Sequence, residues 1–366
     1  MFDPVTACKK ELYRLLERTL RDLGLNKMAE YSIEYSALSP YGDFSSNIAL
    51  VLSKHHSTTA VDLANKICSA LDLKDTQVRS ASVSEKGFLN IFMDDDWYLK
   101  AAETVLLDKT FGTAPSSQEK MTVILPASLD ECSQHPKLFR SLATAIAIKN
   151  ICSAAGYATR LTDICSIDTS AFGRSVFCVP SSIWHRSNKD FVLPVSADRV
   201  LVNGLDDLPL STDWDPIFVL TMNKVPPEAS LPSPFICTED VWDIKDLRFQ
   251  YSWITSLVRQ FKQNEVVLQE SLTEMRSFEP KEIAYLRLVL SFPNEILSSS
   301  VHNDPSSVYR YLSKLSSIFS EFRDYLGRKE GLQAAKDGKL HFFCSLTEVV
   351  LRNGLALFGV PAKDSL

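Results

Sequence analysis

This 366-residue sequence contains no complete motif that would place reactive side chains together for covalent catalysis. It shows no Ser/His/Asp ordering, Walker loop, G-x-G-x-x-G or H-E-x-x-H segment. Paired acids such as Asp206-Asp207 are expected in loops and helix caps rather than as catalytic dyads. The eight cysteines stand apart without a C-x-x-C pair, which favours reduced thiols in an intracellular protein over a zinc site or a disulfide framework. We therefore predict no metal site, and we look for function in groups that bind rather than react.

Composition and charge are those of an ordinary folded chain, with 45% hydrophobic and 23% charged residues. The length suffices for two or three domains. No apolar run approaches a membrane span, and the N-terminus lacks the apolar core of a secretory signal, so we expect a cytoplasmic protein that does not use a membrane. The net charge of -6 does not by itself indicate a nucleic-acid binder, but phosphate binding needs only a local basic patch.

The first region, residues 1–112, has the pattern of a small α+β domain. Leucines recur at helical spacing from Leu12 to Leu23, and Gly24 ends that helix. Asp43 is expected to cap a helix that carries Ile48, and Thr59 to cap the next one. Two short strands are predicted at 78–83 and 88–93.

The middle region, residues 113–240, begins with a strand, a helix and a second strand, at 121–125, 137–155 and 160–164. That order predicts a right-handed βαβ unit with a parallel sheet. Further buried strands are predicted at 200–202 and 217–220, among many prolines. The last region, residues 241–366, has helical periodicity throughout.

Motifs at both ends resemble one family. The segment GDFSSNIA at 42–49, followed by GFLNI at 87–91, resembles the N-terminal tRNA-elbow domain of arginyl-tRNA synthetases. The resemblance implies that Asn47 contacts an unpaired D-loop base of tRNA. An amide has the donor and acceptor that suit a base edge, and the neighbouring Phe44 can stack. The alternative is that Asp43 and Asn47 only cap a helix and that Phe44 is core.

The last region is similar to the DALR anticodon-binding domain of the same enzymes. The resemblance rests on FQYSWI at 249–254, EIAYLRL at 282–288, YLSKL at 311–315 and LRNGLALFGVP at 351–361. It implies that Tyr251 packs against the anticodon, the alternative being helix-bundle core. Arg323, after Phe322, replaces a family tyrosine and can stack a base or pair a phosphate. Leu366 replaces the C-terminal methionine, and Thr255 replaces an arginine, so the resemblance does not extend to the family's anticodon specificity.

The residues that should activate an amino acid have changed. The family's HIGH signature, which receives ATP, matches the segment from His135 to Ser141. Only His135 and the trailing Arg140-Ser141 are retained, whereas Lys137 replaces the glycine and Leu138 the second histidine. No K-M-S-K-like loop is present in the sequence. Adenylate formation needs several charges positioned on the triphosphate at once.

These observations predict an α/β multidomain protein with an N-terminal α+β tRNA-elbow domain, a reduced Rossmann-like nucleotide-binding centre and a C-terminal all-α helical bundle. The resemblance implies a non-catalytic tRNA-binding protein without a cofactor, which presents tRNA to a partner such as a tRNA-modifying enzyme. One alternative is a divergent active arginine–tRNA ligase, which would need ATP. A second is a protein-interaction module without RNA binding.

Overall fold

The computed structural model describes residues 3–25, 30–36, 41–125, 128, 136–163, 174–177, 240–264, 277–328 and 333–360. The chain forms two compact units, each built from three segments. The first unit contains Met1–Lys109, Glu265–Ser291 and Phe322–Leu346. The second contains Thr110–Asn264, Phe292–Glu321 and Thr347–Leu366. The helical region at the end of the sequence thus contributes to both units.

The N-terminal segment of the first unit is α+β, as predicted. Its elements are α1 (Pro4–Asp22), β1 (Ile33–Tyr35), β2 (Phe44–Ser46), α2 (Ile48–Leu52), α3 (Ala60–Ala70), β3 (Val78–Val83), β4 (Leu89–Met93) and α4 (Asp95–Leu107). The four strands form an antiparallel sheet in the order β1-β2-β4-β3. Strand alternation directs Leu89, Ile91 and Met93 into the core, where all three are buried. The amphipathic α1 likewise buries its leucine face.

Two helix caps expected from the sequence have different outcomes. Thr59 caps α3, because its side chain accepts a hydrogen bond from the backbone N–H of Asp62 at 3.1 Å. The prediction that Asp43 caps α2 is wrong. Asn47 occupies the cap position of α2, while Asp43 lies before β2 and is fully buried. Local spacing could not show this, because the partners of Asp43 lie far along the chain.

The second unit opens with β5 (Lys120–Leu125), α5 (Pro136–Ala154), β6 (Ala158–Asp163) and β7 (Arg174–Phe177). Both β6 and β7 pair in parallel with the central β5. The expected strand–helix–strand order and parallel pairing are therefore confirmed. Buried side chains of β5 and α5, including Val123, Leu142 and Ile148, form the core between them. The strands predicted at 200–202 and 217–220 lie outside the described residues.

The remaining helices are α6 (Asp240–Gln263), α7 (Pro280–Leu290), α8 (Phe292–His302), α9 (Pro305–Arg328) and α10 (Gln333–Leu357). A glycine permits α9 and α10 to approach closely within the second unit. A Cβ on Gly354 would lie 2.5 Å from a methyl carbon of Leu312. Of the helices described, none is both long and apolar enough to cross a membrane.

A buried ion pair joins α7 to the N-terminal sheet inside the first unit. Arg287 donates a hydrogen bond from Nε to Oδ1 of Asp43, which is 0% exposed. The same carboxylate accepts hydrogen bonds from the Tyr98 hydroxyl and, at 2.7 Å, from the Met93 backbone N–H. Arg287 also donates to the Tyr98 oxygen at 3.0 Å, and its backbone carbonyl accepts from the Tyr35 hydroxyl at 3.1 Å. We call Asp43, Tyr98 and Arg287 the buried clamp.

Burial and neighbouring groups shift the pKa values of Arg287 and Tyr98 in the buried clamp. Burial alone would lower the pKa of Arg287, but the facing Tyr98 and Asp43 outweigh it and raise that pKa. Burial, followed by the negative charge of Asp43, raises the pKa of the Tyr98 phenol well above its usual range, so the phenol stays neutral. Asp43 therefore keeps one cationic and two neutral donors.

We expect Arg287→Met to lower the free energy of unfolding by about 3–5 kcal/mol, because the substitution leaves the Asp43 carboxylate buried without its counter-charge. Denaturant unfolding monitored by circular dichroism measures the loss. Arg310→Met is the matched control, since Arg310 pairs with Asp304 at an exposed site and such pairs contribute about 0–1 kcal/mol. The double variant Asp43→Asn/Arg287→Met should recover part of the loss. Equal effects of Arg287→Met and Arg310→Met would contradict the role of the buried clamp.

Candidate nucleic-acid interface

We call the segment from Tyr41 to Asn47 the elbow motif. Its backbone packs closely against Ile91 of β4. Gly42 has a φ of +119°, and a Cβ there would lie 2.9 Å from the carbonyl oxygen of Ile91. The next backbone N–H, that of Asp43, donates to the same carbonyl at 2.8 Å. A glycine is therefore required at 42, and the buried clamp immediately follows it.

Phe44 does not present its ring to solvent. The side chain is 0% exposed, with its ring centre 5.2 Å from that of Tyr35 and 5.9 Å from that of Trp97. The expected stacking of a base on Phe44 would require this core to open. The structure instead favours the alternative reading of Phe44 as core, because β2 alternation turns the ring inward.

The aromatic ring exposed in the elbow motif belongs to Tyr41. It is 67% exposed and immediately precedes the Gly42 turn. The sequence motif that resembles the tRNA-elbow domain begins at Gly42 and therefore did not include Tyr41. An aromatic residue next to a glycine in a turn is expected to lie at the surface, and this pattern could have identified Tyr41.

Asn47 is half-buried, and the Oδ1 and Nδ2 atoms of its side-chain amide differ in their hydrogen bonding. Oδ1 accepts a hydrogen bond from the backbone N–H of Ser32 at 2.8 Å. The Asn47 backbone N–H donates back to the Ser32 carbonyl at 3.4 Å. Within the described part of the chain, Nδ2 donates to no protein acceptor. Asn47 can therefore offer its Nδ2 donor to a base edge, while its Oδ1 already accepts one hydrogen bond from the protein.

In the helical region, Tyr251 lies in α6 and is 4% exposed. Thr255, one turn later at the position of the family arginine, is also buried. Phe322 is buried in the first unit, where its ring lies parallel to that of Tyr285 with centres 4.7 Å apart. Phe322 is therefore a core residue of the first unit. Contact of Tyr251 with an anticodon stays a prediction.

Arg323 is the accessible cation beside Phe322. Its side chain is 34% exposed and donates from Nε at 2.8 Å and from Nη2 at 2.6 Å to Oδ1 of Asp324. Such surface pairs contribute about 0–1 kcal/mol, so exchange of Asp324 for a phosphate oxygen costs little. The Asp324 pair by itself therefore does not prevent Arg323 from pairing with an RNA phosphate.

The segment matched to the nucleotide loop is only partly described. His135 lies outside the described residues, as does Leu366. Lys137, Leu138, Arg140 and Ser141 lie in the first turns of α5, but their side chains are outside the described set. Their expected roles, and the expectation that the chain needs no cofactor, stay predictions.

Comparisons with known proteins match both ends of the chain. A family model described as the arginyl tRNA synthetase N terminal domain matches residues 10–93, and one described as the DALR anticodon binding domain matches residues 247–366. The arginine–tRNA ligase of Nitratidesulfovibrio vulgaris strain DP4 is 27% identical over 205 residues, which cover 54% of this chain and 35% of that protein. That of Alcanivorax borkumensis is 34% identical over 84 residues, covering 23% and 14% of the two chains. The chain thus spans little more than a third of the length of the first of these relatives.

Solved structures show the same fold at low sequence identity. The arginyl-tRNA synthetase of Plasmodium falciparum has a TM-score of 0.67 at 9% identity, covering 98% of this chain and 99% of that one. The Thermus thermophilus arginyl-tRNA synthetase has a TM-score of 0.55 at 10% identity, covering 98% and 100%. With both terminal domains matched and this fold, the chain is an arginyl-tRNA synthetase-like protein.

Proposed function

We propose that this protein binds tRNA without charging it, and that it presents the bound tRNA to a partner such as a tRNA-modifying enzyme. An arginine isoacceptor is the first candidate tRNA. The observation that carries the proposal is the composition of the first unit. The elbow motif and the segment with Phe322 and Arg323 belong to one compact unit that contains the buried clamp.

A compact unit of this kind favours binding at two points of one folded RNA. When two contacts are held together, the second forms at a high effective concentration, so modest contacts add to useful affinity. Shape and spacing then supply selectivity that a single base contact does not. The chain net charge of -6 also favours local contacts over general attraction to polyanions.

At the elbow, Tyr41 and Asn47 are the contacts we propose. The exposed Tyr41 ring supplies the stacking surface first expected of Phe44, and the Nδ2 group of Asn47 supplies a hydrogen-bond donor. At the helical end, Arg323 of the first unit is proposed to pair with phosphate or to stack on a base. A contact of Tyr251 with the anticodon is a separate proposal that rests on the resemblance alone.

The absence of charging is proposed from the sequence of the activating loops. Lys137 places a side chain where a glycine lets adenine approach, Leu138 lacks an imidazole, and no K-M-S-K-like lysine pair is present to hold a triphosphate. Base and phosphate contacts are separable from these loops, so binding can persist without activation.

A divergent active arginine–tRNA ligase is the second candidate. It is favoured by the parallel strand–helix–strand arrangement of β5, α5 and β6, which is a nucleotide-binding topology. His135, Arg140 and Ser141 are also retained from the family signature. ATP and arginine would then be substrates of the central segment. A role as a protein-interaction module without RNA binding is the outcome if no tRNA binds.

We expect Tyr41→Ala to weaken tRNA binding by about tenfold, since stacking on an aromatic ring contributes roughly 1–3 kcal/mol per base. Fluorescence anisotropy with labelled tRNA at fixed salt measures the change. The thermal midpoint should stay close to that of the wild type, because Tyr41 is exposed.

The matched variant Phe44→Leu should have the opposite profile. It should lower the thermal midpoint while leaving the affinity of the folded protein near that of the wild type, because Phe44 packs in the core. If Tyr41→Ala binds tRNA as the wild type does, the elbow contact is misassigned. If the wild type does not prefer tRNA over a duplex of equal length, the proposed function fails.

We also expect no arginyl-tRNA product when the purified protein is incubated with tRNA, arginine and ATP. Acid-gel separation of charged and uncharged tRNA measures this, with the same tRNA charged by an authentic arginine–tRNA ligase as the positive control. Product above the protein-free control that disappears in His135→Ala would instead establish the ligase.

A further inference from the structure

The outer face of α1 carries a regular row of cations. Arg14, Arg18 and Arg21 are all exposed and follow i, i+4, i+7 spacing, so they share one face of the helix over about 10 Å. The opposite face of α1 is the leucine face buried in the N-terminal core. The row therefore places three guanidinium groups side by side on the solvent-facing side of the helix.

A cavity of about 570 Å³ lies along this row. Its polar edge is formed by the three arginines together with the 75–77 turn, and its apolar floor includes Leu12 and Val78. In the turn, Asp75 has a φ of +59°. Gln77 also lines the cavity, and its Nε2 is buried with no hydrogen-bond partner among the described residues. We call this cavity and its arginines the α1 groove.

The charges around the α1 groove leave two arginines available. Arg18 is held by Asp72, donating to its carbonyl at 3.2 Å and lying 3.5 Å from its carboxylate. Within the described part of the chain, neither Arg14 nor Arg21 takes part in an ion pair. Glu11 and Asp75 also line the groove, so with Asp72 three carboxylates balance the three arginines, and the two arginines outside an ion pair are the groups left to bind an anion.

We propose that the α1 groove binds the sugar-phosphate backbone of RNA, with Arg14 and Arg21 donating to phosphate oxygens. Guanidinium groups pair with phosphate through two parallel N–H donors, and a row repeating once per helical turn suits an anion that repeats along a strand. The cavity also gives the sugar an apolar floor. This inference rests on the proposed tRNA binding and adds a contact that positions RNA without reading its bases.

The test is the salt dependence of tRNA binding by the full-length chain. Arg14→Ala/Arg21→Ala should reduce the slope of log affinity against log salt by about 1.4–1.8, the value for two lost phosphate contacts. The matched control Lys66→Ala/Lys86→Ala removes two exposed cations from other elements and should leave the slope unchanged. Arg14→Lys/Arg21→Lys keeps the charge and should restore most of the slope. An unchanged slope in Arg14→Ala/Arg21→Ala would overturn the proposal.

Substitutions of the opposing carboxylates should act in the opposite direction. Asp75→Asn and Glu11→Gln remove a negative charge from the lining without changing shape, and asparagine accepts the left-handed backbone of residue 75. Each should tighten tRNA binding by a few-fold at low salt and much less at high salt. Weaker binding in both variants would contradict an anion in the α1 groove.

The outcomes separate this inference from the proposed function. If the wild type binds tRNA and Arg14→Ala/Arg21→Ala keeps its slope, the groove proposal fails and tRNA binding stands. If the wild type does not bind tRNA, a labelled single-stranded RNA 12-mer becomes the probe. Binding of that 12-mer that is lost in the double variant supports the groove alone, and no binding overturns both. Displacement of RNA by poly-glutamate at equal charge concentration would assign the groove to acidic polypeptide and overturn the RNA proposal.

Discussion

The buried carboxylate of Asp43 is the constraint on which the first unit depends. A buried charge is tolerated only when it is paired and hydrogen-bonded, and this one receives donors from Arg287, Tyr98 and the Met93 backbone. Arg287 lies in α7, 244 residues away from Asp43 along the chain. Because neither charge can leave the core without the other, α7 and the N-terminal sheet form one structural element. A helix of the anticodon-binding region and the elbow motif are thereby fixed together.

Neighbouring residues of the elbow motif have different structural roles. Gly42 permits a turn tight against Ile91, Asp43 supplies the buried clamp, and Phe44 fills the core. Tyr41 is exposed and Asn47 carries the Nδ2 donor, and these two are the groups that we propose for tRNA contact. Of these residues only Phe44 lies in β2, where strand geometry directs its ring into the core. In the proposed function, the buried residues of the motif serve folding, and Tyr41 and Asn47 serve binding.

The proposed separation of tRNA binding from tRNA charging has a physical basis, because the two activities depend on different residues of the chain. Adenylate formation depends on a few loop residues placed around a triphosphate, so two or three substitutions abolish it. Backbone and base contacts with a folded RNA are spread over several surfaces, and each is worth little by itself. Substitutions at 137 and 138 therefore need not affect the surface of Tyr41, Arg323 or the α1 groove. A chain that keeps those surfaces can serve another enzyme acting on the same RNA.

The sequence by itself determined the local elements and the family. Leucine spacing set α1, the strand–helix–strand order set the parallel pairing of β5 and β6, and the motifs at both ends identified the arginyl-tRNA synthetase relatives. These features depend on residues close in sequence, whose periodicity follows directly from helix and strand geometry. Only the tertiary structure decided that Asp43 pairs with Arg287 rather than capping α2. It also decided that Phe44 is core while Tyr41 is exposed. Finally, it placed Arg14 and Arg21 at the border of a cavity with the 75–77 turn. Each of those outcomes depends on which distant segments pack together, and a pattern of residue types along one segment does not contain that information.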